Sequence, residues 1–296
     1  MTSFLLAAVD SERNWILRHA VQATPSRRRL PCYNATAHLE LLNMLALAIP
    51  YIIPPLALST PTLWHADTSH SNLFVAETGP AEVQGLIDWQ HSIVAPYCMQ
   101  AGFPTIFTYD GGLIDIPNGR VTPKLPSHVS TLRPDEQEPY RLHLKLAMRH
   151  KVYEQKIVTE NQRRMIVCAM PFGAQLALLP YQVLRSWSDS LVPLRQALIR
   201  LRDVWEVFAH EGSPCPIQFT DDELRNHEQE FVRYTKYQES ITSLDDHIGC
   251  GGDGWVPEGE FSRAMTALKK RKANWDNEVN GGPFPYEDGA FSFFLS

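Results

Sequence analysis

No lysine occurs before residue 124 and no glycine before residue 79 in this chain of 296 residues. Upstream of Gly79 there is thus neither an ammonium group nor a glycine-bearing turn from which to build an anion grip. Cysteine is also scarce. Cys32, Cys98, Cys168, Cys215 and Cys250 are scattered, odd in number and form no CxxC pair, which excludes a disulfide framework and a paired-thiolate zinc site and fits reduced intracellular thiols. Basic charge is not in excess: 27 Lys and Arg stand against 33 Asp and Glu, a formal charge of -6. That balance lacks the electropositive footprint of a dedicated nucleic-acid binder. Neither HExxH nor GxSxG occurs, and His65, His70 and His91 lack the spacing of zinc ligands. The start, MTSFLLAAVDSER, has no basic n-region and makes a poor signal peptide.

The longest uncharged run, LLNMLALAIPYIIPPLAL at 41–58, is interrupted by Asn43, Pro50, Pro54 and Pro55. A helix beginning near Ala35 should end around Pro50, too short to cross about 30 Å of hydrocarbon, so no membrane span is expected. Hydrophobic residues make up 44% and charged residues 20%, an ordinary soluble composition that can bury one large domain or two closely packed ones.

Along the chain, Leu39, Leu42, Leu45, Ala46 and Ile49 recur at helical spacing over 35–49. LWH at 63–65 reads as a short strand. LFVA at 73–76 and VQGLI at 83–87 read as a hairpin turning through Glu77-Thr78-Gly79-Pro80. The Gly-, Pro- and Ser-rich segment 111–134 reads as a long surface connection. Beyond it the pattern is helical: 134–160 opens with Pro134 and acidic residues, 190–208 carries an apolar stripe with Ser190 as candidate N-cap, 221–244 starts at Asp221 or Asp222, and a last helix covers 257–275. No internal repeat is present. The fold class is mainly α with a small β element (α+β).

The stretch LWHADTSHSNLFVA at 63–76 sets His65, Asp67 and Asn72 in a polar loop between apolar runs, the His-x-Asp-x4-Asn spacing of a kinase catalytic loop. Phosphoryl transfer needs a carboxylate to orient the accepting hydroxyl, oxygen ligands for Mg²⁺, and a core anchor beneath the loop. Asp67 suits the first role, Asn72 one metal position, and His65 the brace. GLIDWQ then places Asp88 sixteen residues beyond Asn72, after a buried apolar run, where a hairpin returns it to the loop as the second metal oxygen. Each residue also has an ordinary reading: Asp88 as a turn or cap, His65 as a hydrogen-bonded core residue, Asn72 as a turn residue. The joint spacing favours phosphotransfer. The string Gly249-Cys250-Gly251-Gly252-Asp253-Gly254 fits a GxGxxG pattern but follows a helix, and reads as a helix-ending loop. The seven tryptophans form no evident stacking platform and read as core and interface residues.

On LWHADTSHSNLFV and GLIDWQHSIVAP, with support from QAGFPTIFTYDG, HKVYE at 150–154, LVPLRQALIRL and DGWVPEGEF, the chain resembles the aminoglycoside phosphotransferase family of kinase-like enzymes. Within it, the fungal branch that includes the altered-inheritance-of-mitochondria proteins is most similar. The resemblance implies Asp67 as catalytic base, Asn72 and Asp88 as Mg²⁺ ligands, ATP as phosphoryl donor and a small-molecule hydroxyl as acceptor. Ala66, where protein kinases carry Arg, fits the small-molecule branch. The resemblance also implies a kinase-like C-terminal lobe over 1–210, with the catalytic loop at 65–72 and the metal segment at 86–90, then a helical extension over 211–296.

The family pattern further expects an upstream lobe with a glycine loop and a strand lysine, whereas the 64 residues before His65 contain neither residue type. Arg13, Arg18 and the run Arg27, Arg28, Arg29 are the only stand-ins. This chain alone is therefore expected to be a truncated, inactive phosphotransferase, its ATP lobe belonging to a longer reading frame. The alternative is a non-catalytic, pseudokinase-type binding or scaffold module that meets a protein partner or self-associates through the bared roof of its nucleotide cleft. An intracellular location, cytoplasmic or mitochondrial, is implied.

Overall fold

A computed structural model describes residues 1–19, 34–65, 67–80, 82–100, 102–109, 111–170, 172–186, 190–208, 213–250 and 256–286. Outside them lie Arg27, Arg28, Arg29, Cys32, Ala66, Trp187, Trp255 and residues 251–254 of the GxGxxG string. In chain order the elements are α1 (Thr2–His19), α2 (Ala35–Ala48), α3 (Leu56–Ser59), β1 (Pro61–Trp64), β2 (Leu73–Val75), β3 (Val83–Leu86), β4 (Ile93–Pro96) and α4 (Tyr97–Gln100). There follow α5 (Pro134–Glu160), α6 (Gln162–Ala169), α7 (Gly173–Arg185), α8 (Val192–Asp203), α9 (Asp221–Ile248) and α10 (Phe261–Ala273). The architecture is mainly helical, with two small antiparallel sheets. Two compact units divide the chain: Met1 with Ile53–Leu178, and Thr2–Ile52 with Leu179–Ser296.

The first unit holds all four strands. β2 and β3 form the expected hairpin, with Leu73 opposite Leu86 and Phe74 opposite Gly85, then a register irregularity before Val75 pairs with Val83. β1 pairs with β4, a strand the apolar pattern did not announce, matching Pro61 to Pro96 and Trp64 to Ile93. One small core gathers Leu58, Tyr97, Cys98 and Val167; another gathers Tyr109, Ile114 and Ala147. The segment 111–134 is thus not purely a surface connection. Ile114 is wholly buried with Ala147 of α5, and Val129 is buried in a 3₁₀ turn, Ser127–Thr131. α5 starts at Pro134 with Asp135 and Glu136 in its first turn, and the Arg133 backbone N–H donates to Glu136 at 3.0 Å, an arrangement favoured by the exposed N–H groups and dipole of a helix start.

In the second unit α1 packs on α2, α2 on α8, α8 on α9 and α9 on α10. Leu42, Leu45, Ala48, Leu194, Leu198 and Leu201 are buried, so the helical periodicity seen in sequence is the core face. α2 ends at Ala48, with Pro50 in the turn beyond, as the prolines require. Among the described residues no helix is long and apolar enough to cross a membrane. Thr220 caps α9 in a capping box with Glu223, and Gly249 ends that helix in the left-handed region with φ 73°. The first glycine of the GxGxxG string is therefore a helix terminator, a position that favours the residue without a Cβ. Ser190 accepts the Val192 N–H at 3.1 Å, one residue ahead of the helix's formal cap, Leu191.

Candidate functional site

β1 runs into the polar loop and delivers His65, whose ring is buried. Its Nε2 donates to the Ile87 carbonyl at 2.8 Å and its Nδ1 accepts the Asp67 backbone N–H at 3.2 Å. A carbonyl only accepts and an amide N–H only donates, so the two bonds together require the neutral ring with its hydrogen on Nε2. The indole of Trp89 meets this imidazole edge-on, ring centroids 4.8 Å apart at 72°, while its N–H donates to the Leu86 carbonyl at 3.0 Å. Trp89 is half exposed, so of the core and interface roles expected of the tryptophans it does not fill the first.

Asn72 ends a 3₁₀ turn, His70–Asn72, and is buried. Its amide NH₂ donates to the Asp67 carbonyl and to Asp67 Oδ2, both at 3.1 Å. Two acceptors on one side fix the amide's orientation and turn its Oδ1 the other way. Ser69 also donates to Asp67 Oδ2, at 3.2 Å, and accepts from Ser71 at 2.9 Å. Asp67 is held through one carboxylate oxygen, while Oδ1 accepts no hydrogen bond among the described residues.

Asp88 follows a residue clamped at both ends. The Ile87 N–H donates to the Asn72 carbonyl at 3.0 Å, and the Ile87 carbonyl accepts from His65. Asp88 itself has φ 59°, the left-handed region that a non-glycine residue enters at a cost and that Asp tolerates better than most. Its carboxylate is exposed and makes no ion pair or hydrogen bond among the described residues. The structure thus ties His65, Asp67 and Asn72 together and fixes the residue preceding Asp88 to both His65 and Asn72.

The donor set suits a hard cation. Asn72 Oδ1 and the Asp88 carboxylate are oxygen donors with no hydrogen-bond partner among the described residues, and Mg²⁺ takes one or two such groups along with water and phosphate oxygens. Among the described residues no three His, Cys, Asp or Glu side chains gather into a metal-holding cluster, so the oxygens alone do not make an all-protein cage. The described cysteines, Cys98, Cys168, Cys215 and Cys250, are free thiols, and burial pushes the Cys98 thiol up, away from nucleophilic use.

A further group near the loop was not singled out in sequence. Arg149 of α5 donates from Nη1 to His70 Nε2 at 2.9 Å, across 79 positions of sequence. Its Nε is buried and makes no hydrogen bond. The signal was a cation with no acid three or four residues away on its helix. Arg13, by contrast, is engaged locally with Asn43 and Asp10 inside the helical unit. A cleft of about 330 Å³ lies between α9, α10 and the turn after α10, lined by Lys236, Ser240, Arg271, Asn274 and Trp275 among others. None of the loop residues lines it.

Among known proteins, the chain is similar to a subtelomeric hrmA-associated cluster protein of Aspergillus fumigatus, 25% identical over 294 residues, which is 95% of this chain and 57% of that protein. It is similar also to the altered inheritance of mitochondria protein 9, mitochondrial, of Vanderwaltozyma polyspora, 25% identical over 81% of this chain and 36% of that protein. The Saccharomyces cerevisiae protein of the same name is 22% identical over 77% of this chain and 34% of its own length. The chain spans little more than half the length of the Aspergillus relative and about a third of the yeast ones. No family model matches the chain, and no solved structure matches it.

Proposed function

We propose that this chain is the acceptor-orienting and metal-holding part of a kinase-like small-molecule phosphotransferase of the aminoglycoside phosphotransferase type, with ATP as donor. The observation that carries the reading is the half-tied state of the loop. Asp67 is immobilised through Oδ2, while its Oδ1, Asn72 Oδ1 and the Asp88 carboxylate have no partner among the described residues. Preorganised groups with one vacant face suit positioning chemistry, which is most of what phosphoryl transfer asks of a protein. A substrate hydroxyl hydrogen-bonded to Asp67 Oδ1 attacks the γ-phosphorus of ATP; its proton passes to Asp67, the bond to the β–γ bridging oxygen breaks, and ADP leaves. Asn72 and Asp88 would hold Mg²⁺, whose contribution is to offset phosphate charge. His65 takes no proton in this scheme; it fixes the Asp67 and Ile87 backbones.

Titration with Mg-ATP, read as a thermal shift, tests this. A ligand at a hundred times its dissociation constant stabilises by about 2.7 kcal/mol. We expect a shift in the parent that Asp88→Asn loses. No shift at millimolar Mg-ATP, or an equal shift in both proteins, would remove phosphotransfer from this chain. The name carried by the yeast relatives supports a mitochondrial location, testable by fractionation of a tagged full-length protein.

One observation favours a second, non-catalytic reading as a binding module. Leu63, Phe74, Val75, Val83, Ile87, Trp89, Ile93 and Val94 are all about half exposed or more, and they crowd the strands around the loop. Such a concentration of apolar surface is typical of a binding face. A monodisperse monomer in sedimentation that binds Mg-ATP would count against it.

A further inference from the structure

The first 123 residues contain no lysine; of their arginines, Arg13 is engaged with Asn43 and Asp10, and Arg27, Arg28 and Arg29 lie outside the described residues. Arg149 is a guanidinium brought to the candidate loop from α5. It is seated by its bond to His70 Nε2, three residues after Asp67. His70 accepts there, so all of the arginine's charge is left uncompensated, and no carboxylate lies within 4.0 Å of it among the described residues. An imidazole is a poor neutraliser of an arginine; a planar fork without its anion is the usual form of an empty oxyanion site.

A second, independent feature lies along the same helix. Arg141, Lys145 and Arg149 recur every four residues in α5, which stacks them on one face. Arg141 is bonded only to the neutral Gln137, at 2.9 Å, and none of the three forms an ion pair among the described residues. Like charges four residues apart destabilise a helix, so the row is costly unless an anion lies on it. The row has Arg149, the residue bonded to His70 of the loop, at its C-terminal end.

We propose that Arg149, seated by His70, binds a phosphate group next to Asp67, and that Lys145 extends the site to a second phosphate of the same small molecule. The proposal relies on the phosphotransfer reading to name the anion as phosphate; the cations, without acidic partners among the described residues, stand without it. The donor's phosphates and a phosphate on the acceptor would both satisfy this chemistry.

Binding of inorganic phosphate and pyrophosphate to the chain, without Mg²⁺, followed by thermal shift and calorimetry, tests it. Pyrophosphate should bind the parent, and Arg149→Gln should weaken it at least tenfold. Lys145→Gln should weaken pyrophosphate about tenfold but leave orthophosphate nearly unchanged. Arg271→Gln, in the other unit, should change neither. Should Arg149→Gln fail to fold, His70→Ala, at an exposed position, is expected to weaken pyrophosphate severalfold by unseating the guanidinium. Equal affinity in the parent, Arg149→Gln and His70→Ala overturns the proposal, as does no binding at 10 mM pyrophosphate.

Mg-ATP distinguishes the two sources. If Arg149→Gln also loses the Mg-ATP shift, the phosphate belongs to the donor; if it keeps that shift, the phosphate belongs to the acceptor. Asp88→Asn should keep Mg-free pyrophosphate binding. If it also keeps the Mg-ATP shift, the phosphotransfer reading falls while the anion site stands.

Discussion

Leu198 of α8 and Phe74 of β2 are both large apolar side chains, yet Leu198 is wholly buried and Phe74 is 53% exposed. The contrast holds for their regions. In the helical unit, order comes from burial: α2 and α8 bring Leu42, Leu45, Leu194 and Leu198 out of water together. Around the loop, order comes from directed bonds. Two side chains, His65 and Asn72, fix the Asp67 and Ile87 backbones, while the neighbouring strands leave their apolar residues in solvent. A region held by a few polar bonds keeps vacant valences and open faces, which a packed core cannot. Directed bonding is also the cheaper way to present a carboxylate, because a buried one would need its charge offset.

The sharpest way to break the comparison is to damage the packed side. Leu198→Ala should cost about 2–5 kcal/mol, the range for emptying a fully buried leucine site, read as a lowered urea midpoint. Next comes acid. His38 of α2 is buried, lies 2.7 Å from Ser186 Oγ and 3.9 Å from Glu12, and burial pushes its imidazole down to about 4. The unfolded chain takes up this proton near pH 6.5 and the folded one only near 4, so stability rises with pH across that window and falls as pH drops through it. The loss from this group reaches about 3 kcal/mol at pH 4. Urea titrations at pH 7 and 4.5 should show it, and His38→Gln should flatten the difference by about one proton.

On the directed side, His65→Ala removes two hydrogen bonds and the Trp89 contact, for about 2 kcal/mol. Its signature is local. Hydrogen exchange should speed at the Ile87 and Asp67 amides while the α2 and α8 amides keep their protection. If α2 loosens equally, the two regions are one cooperative unit and the loop is not held separately by its own bonds.

The same physics decided what could be read from sequence. α2, α8 and α9 were legible because burial imposes a 3.6-residue period over many turns, and α5 because Pro134 and the acidic residues after it mark a helix start. The β2–β3 hairpin was legible from its turn residues, Glu77 to Pro80. β4 was not: four residues, Ile93–Pro96, carry too little pattern, and their partner β1 lies some thirty positions upstream. α1 escaped because buried Glu12 interrupts the apolar row of Leu5, Val9 and Ile16. In the loop, His65, Asp67, Asn72 and Asp88 stood out through spacing, since hydrogen bonds between near neighbours leave fixed intervals. Arg149 left none, its partner being 79 residues away.

Asp88 allows the smallest and most discriminating test. Its left-handed backbone, φ 59°, is one that glycine enters freely, so on conformational grounds Asp88→Gly should stabilise the hairpin by about 1 kcal/mol. The carboxylate makes no hydrogen bond or ion pair among the described residues, so no lost contact offsets that gain. The same variant should lose the Mg-ATP thermal shift. A gain in the unliganded melting temperature together with loss of the ligand response would mean that Asp88 sits in a conformation the fold does not need for itself. Loss of stability instead would mean that the carboxylate supports the hairpin, and its vacant state would no longer speak for a metal.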